Sequence, residues 1–450
     1  MGFPTSSALS QPAQNNSCDL NTDIDTSLFI DFNSNRKGLA ISSASASPPS
    51  PPDGGLMAWT QVAAGFILFF NTWGLLSSFG VFQSYYESGK LFSASSSNIS
   101  WIGSIQSFLP QLSGLVAGPL YDRGYLRTLL VTGIAFVLVG LFTLSASTQY
   151  YQVLLSQGVC IGIGAGLLFT PTVSLVPTYF STHVGLAVGM ISSGTSIGGV
   201  VYPSILSKLI NQVGFPWAIR IVGFIALGTF MLPLFVMRIR VLTPKPRAIL
   251  DWSAFTDISF VFFTLGMFFV FIANTVVIFY ISYYPLNLGF TSESLGTNIV
   301  AIFNAGSVLG RILPNALSDR IGVFNTLVPL TLLLGFTQFA LLGVYNAPGM
   351  VVEAVVTGFF SGVVISLPPV IFRLLTDNKS MVGTRIGMGF ALAGLGLLAA
   401  GPIAGTILSS THPLNWTGVW VFGGLAAIIS GLLQAFVRVM RSGATLNIKA

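Results

Sequence analysis

Between Met57 and Met440 the chain is a near-continuous series of apolar stretches, each long enough to cross a bilayer and separated only by short polar breaks. A membrane-spanning helix needs about 20 mostly apolar residues. Twelve stretches meet that need, at 57–85, 99–121, 129–147, 151–178, 185–210, 218–237, 258–283, 294–317, 326–346, 350–374, 386–409 and 418–437. They are longer than the roughly 10 residues of a membrane strand and lack the alternation of a barrel wall. Helices, whose backbone groups are satisfied within the segment, are the remaining solution in hydrocarbon. The predicted fold class is therefore an all-α polytopic membrane protein with twelve transmembrane helices. Charged residues make up only 7% of the 450 positions, against about 25% in ordinary globular domains. A soluble enzyme of this size is excluded, because 19 basic and 13 acidic side chains would leave wide apolar patches in water.

The basic residues are unevenly placed, and that sets the orientation. With both termini cytoplasmic, the inner segments hold Arg36, Lys37, Arg123, Arg127, Arg238, Arg240, Lys245, Arg247, Arg320, Arg373, Lys379, Arg385, Arg438, Arg441 and Lys449, which is 15 of the 19. The outer side keeps Lys90, Lys208 and Arg220, and Arg311 stands inside a span. The expected location is the plasma membrane, multi-pass, with the bilayer itself as a partner. The net charge of +6 follows from this distribution and calls for no nucleic acid. Two sequons, at Asn98 and Asn415, fall in outer loops and are candidate glycosylation sites. Two cysteines (Cys18, Cys160) and two histidines (His183, His412) are too few for a disulfide framework or a metal centre, so neither metal nor cofactor is expected. Residues 1–52 are rich in Ser, Pro, Asn and Asp and carry no apolar core of a signal peptide, so they read as a disordered cytoplasmic tail.

The longest polar break, Arg238 to Asp257, divides the spans six and six: an N-terminal half at 53–240, a cytoplasmic central loop at 241–257, a C-terminal half at 258–440 and a cytoplasmic tail at 441–450. The halves echo each other. Leu120-Tyr121-Asp122-Arg123 recurs as Leu317-Ser318-Asp319-Arg320, an offset of 197 residues, and Pro171 recurs at the same offset as Pro368. Repeats related by an axis along the membrane normal are the architecture of major facilitator transporters, with the substrate site between the halves near the midplane.

The turn Gly118 to Arg127 (GPLYDRGYLR) resembles the Asp-Arg-Gly motif between helices two and three of the major facilitator superfamily, and Asp319-Arg320-Ile321-Gly322 resembles its second copy. Asp53-Gly54-Gly55-Leu56-Met57-Ala58-Trp59 resembles the acidic-Gly-Gly-aromatic motif of the monocarboxylate porter family. Tyr179-Phe180, followed by Gly185-Leu186-Ala187-Val188-Gly189 and Ser193-Gly194, is similar to that family's second signature, and Asn304 to Arg311 is similar to fungal members. The resemblance covers about residues 50–440 and implies the major facilitator fold, alternating access and a substrate-binding arginine at Arg311. In proton-coupled members that arginine has an aspartate one turn earlier and a lysine in helix one; here the first position is Ser307, and no charge lies between Asp53 and Glu87. The proton-driven route for small acids thus lacks two of its ionisable parts, and a larger, less charged substrate suits the site better.

Arg311 is the most informative residue, because a charge at the bilayer centre costs about 2.5–3.5 kcal/mol even on lenient scales. Its guanidinium can grip a substrate anion, bond helix carbonyls in a packing role, or snorkel to the inner surface. Asn71, Asn274, Asn304, Ser307 and Tyr280 are the other candidate substrate contacts, with interhelical hydrogen bonding as the alternative for each; Asn71 and Asn274, with Tyr280 and Phe69 nearby, could hold a partly aromatic ligand. Thr72, Gln106, Gln111 and Thr275 are polar side chains of the same kind. Asp122, Arg123, Asp319 and Arg320 are candidate gating residues at cytoplasmic helix ends. Glu353 is a candidate proton carrier, with interfacial solvation as the alternative, so proton coupling stays open. Gly158, Gly162 and Gly166, and the glycine pairs after Gly185, read as packing surfaces; no phosphate-binding Lys-Ser or Lys-Thr follows them.

No ATP-binding domain is present, so the expected function is secondary transport of a small organic anion or secondary metabolite, more towards efflux. Import of a monocarboxylate or vitamin-like nutrient is the alternative, and a transporter-like sensor the alternative of another class. A membrane enzyme would need clustered acids or histidines within the spans, which the sequence lacks.

Overall fold

The computed structural model describes residues 51–94, 96–241, 250–378 and 381–443. The expected tail at 1–52, all but its last two residues, the body of the central loop at 242–249 and most of the terminal tail lie outside the described residues. Ten helices are long and apolar enough to cross a membrane. One of them, Val184–Val236, has 53 residues; a straight helix of that length would reach about 80 Å, against about 30 Å of hydrocarbon. Its backbone leaves helical geometry at Gly214 (φ 78°, ψ 164°), a conformation glycine adopts without the clash of a Cβ, and there it turns back. It therefore counts as two spans. Ser96–Asp122 adds another, 27 residues long but diluted by Ser and Gln. Among the described residues the total is the twelve expected.

In chain order the spans are α1 (Leu56–Gln83), α2 (Ser96–Asp122), α3 (Leu126–Leu144), α4 (Tyr150–Tyr179), α5 (184–213), α6 (215–236), α7 (Ile258–Tyr280), α8 (Ser294–Ile321), α9 (Val323–Gly343), α10 (Ala347–Leu375), α11 (Val382–Leu408) and α12 (Trp416–Ser442). Short connections make neighbours antiparallel, so Arg123, Arg127, Arg238, Arg240, Arg320, Arg373, Arg385, Arg438 and Arg441 gather at one end of the bundle. We call it the basic end, and the opposite one the far end.

Three spans depart from regular helix. The first, α1, is interrupted at Thr72 and again at Ser77 and Ser78. Within α4 a π-helical stretch, Leu154–Ile161, precedes Gly162, and α10 breaks between Ser366 and Pro368, because Pro368 has no amide to continue the ladder. Broken helices are tolerated at membrane depth where they line a cavity or are buried in protein.

The halves meet along two seams, α5 on α8 and α2 on α11. On the first seam Gly189 packs against the Arg311 carbonyl, so closely that a side chain there would displace the α8 backbone. Small residues substitute for the hydrophobic effect here, since lipid tails are as apolar as the helix surface and close backbone approach supplies the packing energy. The glycine row expected on α4 is placed the same way, with Gly158, Gly162 and Gly166 against α2. At the basic end the C-terminal half carries an ion network: Arg385 bonds Asp251 at 2.9 Å and Asp257 at 2.8 Å, and Arg441 bridges Asp257 (3.6 Å) and Asp377 (3.4 Å). Asp257 also caps α7 by accepting the Ser259 amide at 3.0 Å. Burial pushes the Asp251 carboxyl up, but hydrogen bonds from Ser253 and Arg385 outweigh it and hold it below the usual carboxylate range.

A cavity between the halves

A cavity of about 1090 Å³ lies between the halves, at the upper end of the range for small-molecule sites, about 300–1,000 Å³. Its walls run from Tyr85, Lys90, Asn211 and Tyr283 near the far end down to Arg311 and Pro369. Beyond Arg311 towards the basic end α5 packs closely on α8, with Gly185 against Asn315 and Ser318. The interrupted part of α1 contributes Trp73, Ser77 and Ser78 to the wall, so the local breaks position side chains on the cavity.

Arg311 lies on this wall with only 4% of its surface exposed. Its Nε donates to Ser307 Oγ at 3.2 Å and its Nη1 to the Ser192 carbonyl of α5 at 3.0 Å. Ser196 of α5 donates in turn to Ser307 Oγ at 3.1 Å. A guanidinium has five N–H donors, so these bonds leave donors over while fixing the head group against both halves. Arg311 is thus placed on the cavity wall and is at the same time bonded to a carbonyl of α5.

The other candidates divide. Asn274, Asn304, Ser307 and Tyr280 line the cavity. Asn274 Oδ1 accepts the Ser361 hydroxyl, and Asn304 Nδ2 donates to the Val300 carbonyl at 3.0 Å. Asn71 does not reach the cavity. It is 1% exposed, accepts the Tyr202 hydroxyl at 2.5 Å and donates to Thr229 Oγ1 at 2.9 Å, which ties α1 to α5 and α6. The alternative of interhelical bonding is the one realised there. Thr72 instead bonds back within α1, to the Leu68 carbonyl at 2.7 Å. Trp73, Phe169, Phe271, Phe390 and Ser361 are also on the wall, and no sequence pattern distinguishes them. Aromatics in an apolar span look like lipid-facing or core residues until the helices are placed.

At the basic end, Asp319 of α8 accepts the amides of Gly185 (2.8 Å) and Leu186 (2.9 Å) at the start of α5. A carboxylate here meets orphan donors and the positive end of the α5 dipole, and it does so across the halves. Asp122 is buried, whereas Arg123 and Arg320 stand exposed. Thus the aspartates face the packing and the arginines do not.

Asp53 accepts the Ser181 amide (2.7 Å), the Ser181 hydroxyl (2.7 Å) and the Thr182 amide (2.8 Å), pinning the turn into α5. Those bonds hold its carboxyl well below the usual range. Trp59 meets Phe180 edge-on at 5.2 Å, so the acidic-Gly-Gly segment and the Tyr179-Phe180 segment touch. Glu353 is buried in α10 and accepts the Thr357 hydroxyl at 2.7 Å. Asn98 is exposed at the start of α2, and Asn415 caps α12 by accepting the Gly418 amide at 2.8 Å.

The family profile of the Major Facilitator Superfamily matches residues 62–284 and 263–449. An MFS-type transporter of Emericella nidulans, dbaD, is 48% identical, over 94% of this chain and 98% of its own length. The aspyridones efflux protein apdF of the same organism is 34% identical, over 85% of this chain and 78% of its own. Among solved structures, the fucose transporter FucP in the outward conformation covers 84% of this chain and 98% of its own, with a TM-score of 0.62 at 14% identity, a likeness of fold alone. Helix count, halves, central cavity and these similarities agree: the chain belongs to the Major Facilitator Superfamily and is a multi-pass membrane transporter, not an enzyme.

Proposed function

We propose that this chain is a gradient-driven exporter of an organic anion or anionic secondary metabolite, of the monocarboxylate-porter type, at the plasma membrane with both termini cytoplasmic. The observation that carries the reading is Arg311: a buried guanidinium on the wall of a large cavity, bonded to both halves. A cargo anion that takes over its donors would loosen the α5–α8 seam, which is what alternating access requires. With the basic end inside, the cavity faces outward and the Asp319 cap on α5 is the closed inner gate. The efflux protein among the relatives supports the direction, and the contact of Asp53 and Trp59 with the turn into α5 supports the porter type. Energy comes from a gradient; Glu353, a carboxyl inside a span, is the residue we assign to carry a proton.

Deleting the gene and comparing metabolites inside and outside the cell tests the reading. A metabolite retained inside, and released again by the wild-type chain but not by Arg311→Ala at equal surface level, is the expected outcome. Loss of uptake from the medium favours the importer. Full rescue by Arg311→Ala returns this residue to packing alone.

A further inference from the structure

The cavity wall also describes its cargo. Phe169 of α4 is the centre of an aromatic surface: it lies 5.6 Å from Phe69, 5.8 Å from Trp73 and 5.5 Å from Phe390, centroid to centroid. Phe390 continues to Phe271 at 6.2 Å. All five rings line the cavity, and they come from α1, α4, α7 and α11, so the surface crosses from one half to the other. Ring faces and edges of this kind favour flat aromatic guests.

Among the described residues lining the cavity, Trp73 Nε1, Gln111 Oε1 and, near the far end, Ser282 Oγ are unmatched, and the first two carry the argument. Trp73 Nε1, a donor, and Gln111 Oε1, an acceptor, are buried without a hydrogen-bond partner among the described residues. Gln111 is 3% exposed. Buried polar groups are as a rule paired, and each exception calls for a reason. A cargo that brings an acceptor to the indole and a hydroxyl to the amide supplies one. A three-carbon acid would satisfy Arg311 but could not also span the rings and reach both atoms in a space of about 1090 Å³.

We infer that the cargo class is a planar, hydroxylated aromatic acid. Its rings lie on the Phe69–Trp73–Phe169–Phe390 surface and its anionic group on Arg311, while a ring hydroxyl donates to Gln111 Oε1 and a carbonyl or carboxylate oxygen accepts from Trp73 Nε1. This rests on the transport reading above and adds the class of molecule moved.

The test is equilibrium binding of three probes of equal charge to the purified full chain: 6-hydroxy-2-naphthoate, 2-naphthoate and decanoate. Both naphthoates should bind more tightly than decanoate, and the hydroxyl should add about 2- to 12-fold, the worth of one net hydrogen bond. Gln111→Met should erase the hydroxyl preference, and Trp73→Phe, which keeps a ring but loses the donor, should weaken both naphthoates. Decanoate binding as well as the naphthoates, no binding of either naphthoate, or a hydroxyl preference that survives Gln111→Met each overturns the class. If all three acids bind alike and lose affinity in Arg311→Ala, the aromatic class falls while the anion transporter stands. If Arg311→Ala binds them unchanged, both readings fall.

Discussion

The two halves share a fold but differ at the position of the buried cation. At the offset of 197 residues that matches the two Asp-Arg turns, the counterpart of Arg311 is Gly114. A Cβ added at Gly114 would meet the Thr170 hydroxyl at 2.8 Å, so this position serves close packing of α2 on α4. The C-terminal half instead keeps a cation there, beside Ser307 and Asn304 on the cavity wall, and the rings of the wall come from both halves, Phe69, Trp73 and Phe169 from the first and Phe271 and Phe390 from the second. The two asparagines of α1 and α7 repeat the contrast: Asn71 is spent on holding its own half together, and Asn274 lies on the wall. Duplication supplies a frame that can rock, and divergence within it places Arg311 on one half only, while rings and polar side chains of both halves share the wall.

The comparison breaks most visibly at Arg311. Arg311→Ala should lower cargo affinity by about 10- to 100-fold, since hydrogen bonds to a charged group are worth about 1.5–3 kcal/mol. Adding Gly114→Arg should not restore it, because the matching site has no room. Recovery of transport by the double variant would make the halves interchangeable.

Coupling is next. Glu353→Gln should abolish the dependence of transport on a pH gradient in proteoliposomes while cargo exchange without a gradient continues. An unaltered pH dependence removes Glu353 from coupling.

Asp319→Asn should weaken the cross-half cap on α5 by about 1–2 kcal/mol, moving the gate equilibrium by about 5- to 30-fold towards open at the basic end. Spin-label distances between the first turn of α5 and the last turn of α8 read this directly; an unmoved distribution leaves the cap structural.

The asparagine pair separates stability from binding. Asn71→Leu orphans the Tyr202 hydroxyl and should cost about 1–3 kcal/mol, seen as a lower thermal midpoint with cargo affinity kept. Asn274→Leu should do the reverse. The same loss of affinity in both would make Asn71 part of the site after all.

The smallest effect belongs to Asp53. Its carboxyl is held low in the folded chain, so the contribution of its bonds is fully present above the unfolded value of about 3.9 and fades only as pH falls below that. The gap in thermal midpoint between wild type and Asp53→Asn should be flat from about pH 8 to pH 5 and close only in stronger acid. A gap that changes near neutrality would assign the bonds to another group.

Much of the frame was legible because bilayer physics is strict about length and polarity. Span number, the six-and-six division and the special standing of Arg311 follow from apolar run length and from the cost of a buried charge. Span ends were not equally readable: α8 extends to Ile321, past the expected 317, because its last turn carries Asp319 to the α5 amides. Nor could periodicity separate Asn71 from Asn274, since both are lone amides in apolar helices and only their neighbours decide their use. Trp73, Phe169 and Phe390 were invisible as wall residues for the same reason: an aromatic ring suits lipid, core and cavity alike.

The sequence by itself determined that this chain crosses a membrane many times as two related halves, and that one arginine sits where hydration is costly. Those are sums over a segment and need no partner to evaluate. Which side chains share a cavity, which glycines let α5 and α8 touch, and which carboxylate closes one end were decided by tertiary structure. Each is a contact between residues more than a hundred positions apart, such as Arg311 with Ser192 and Asp319 with Gly185, and no local pattern encodes where a distant helix will lie.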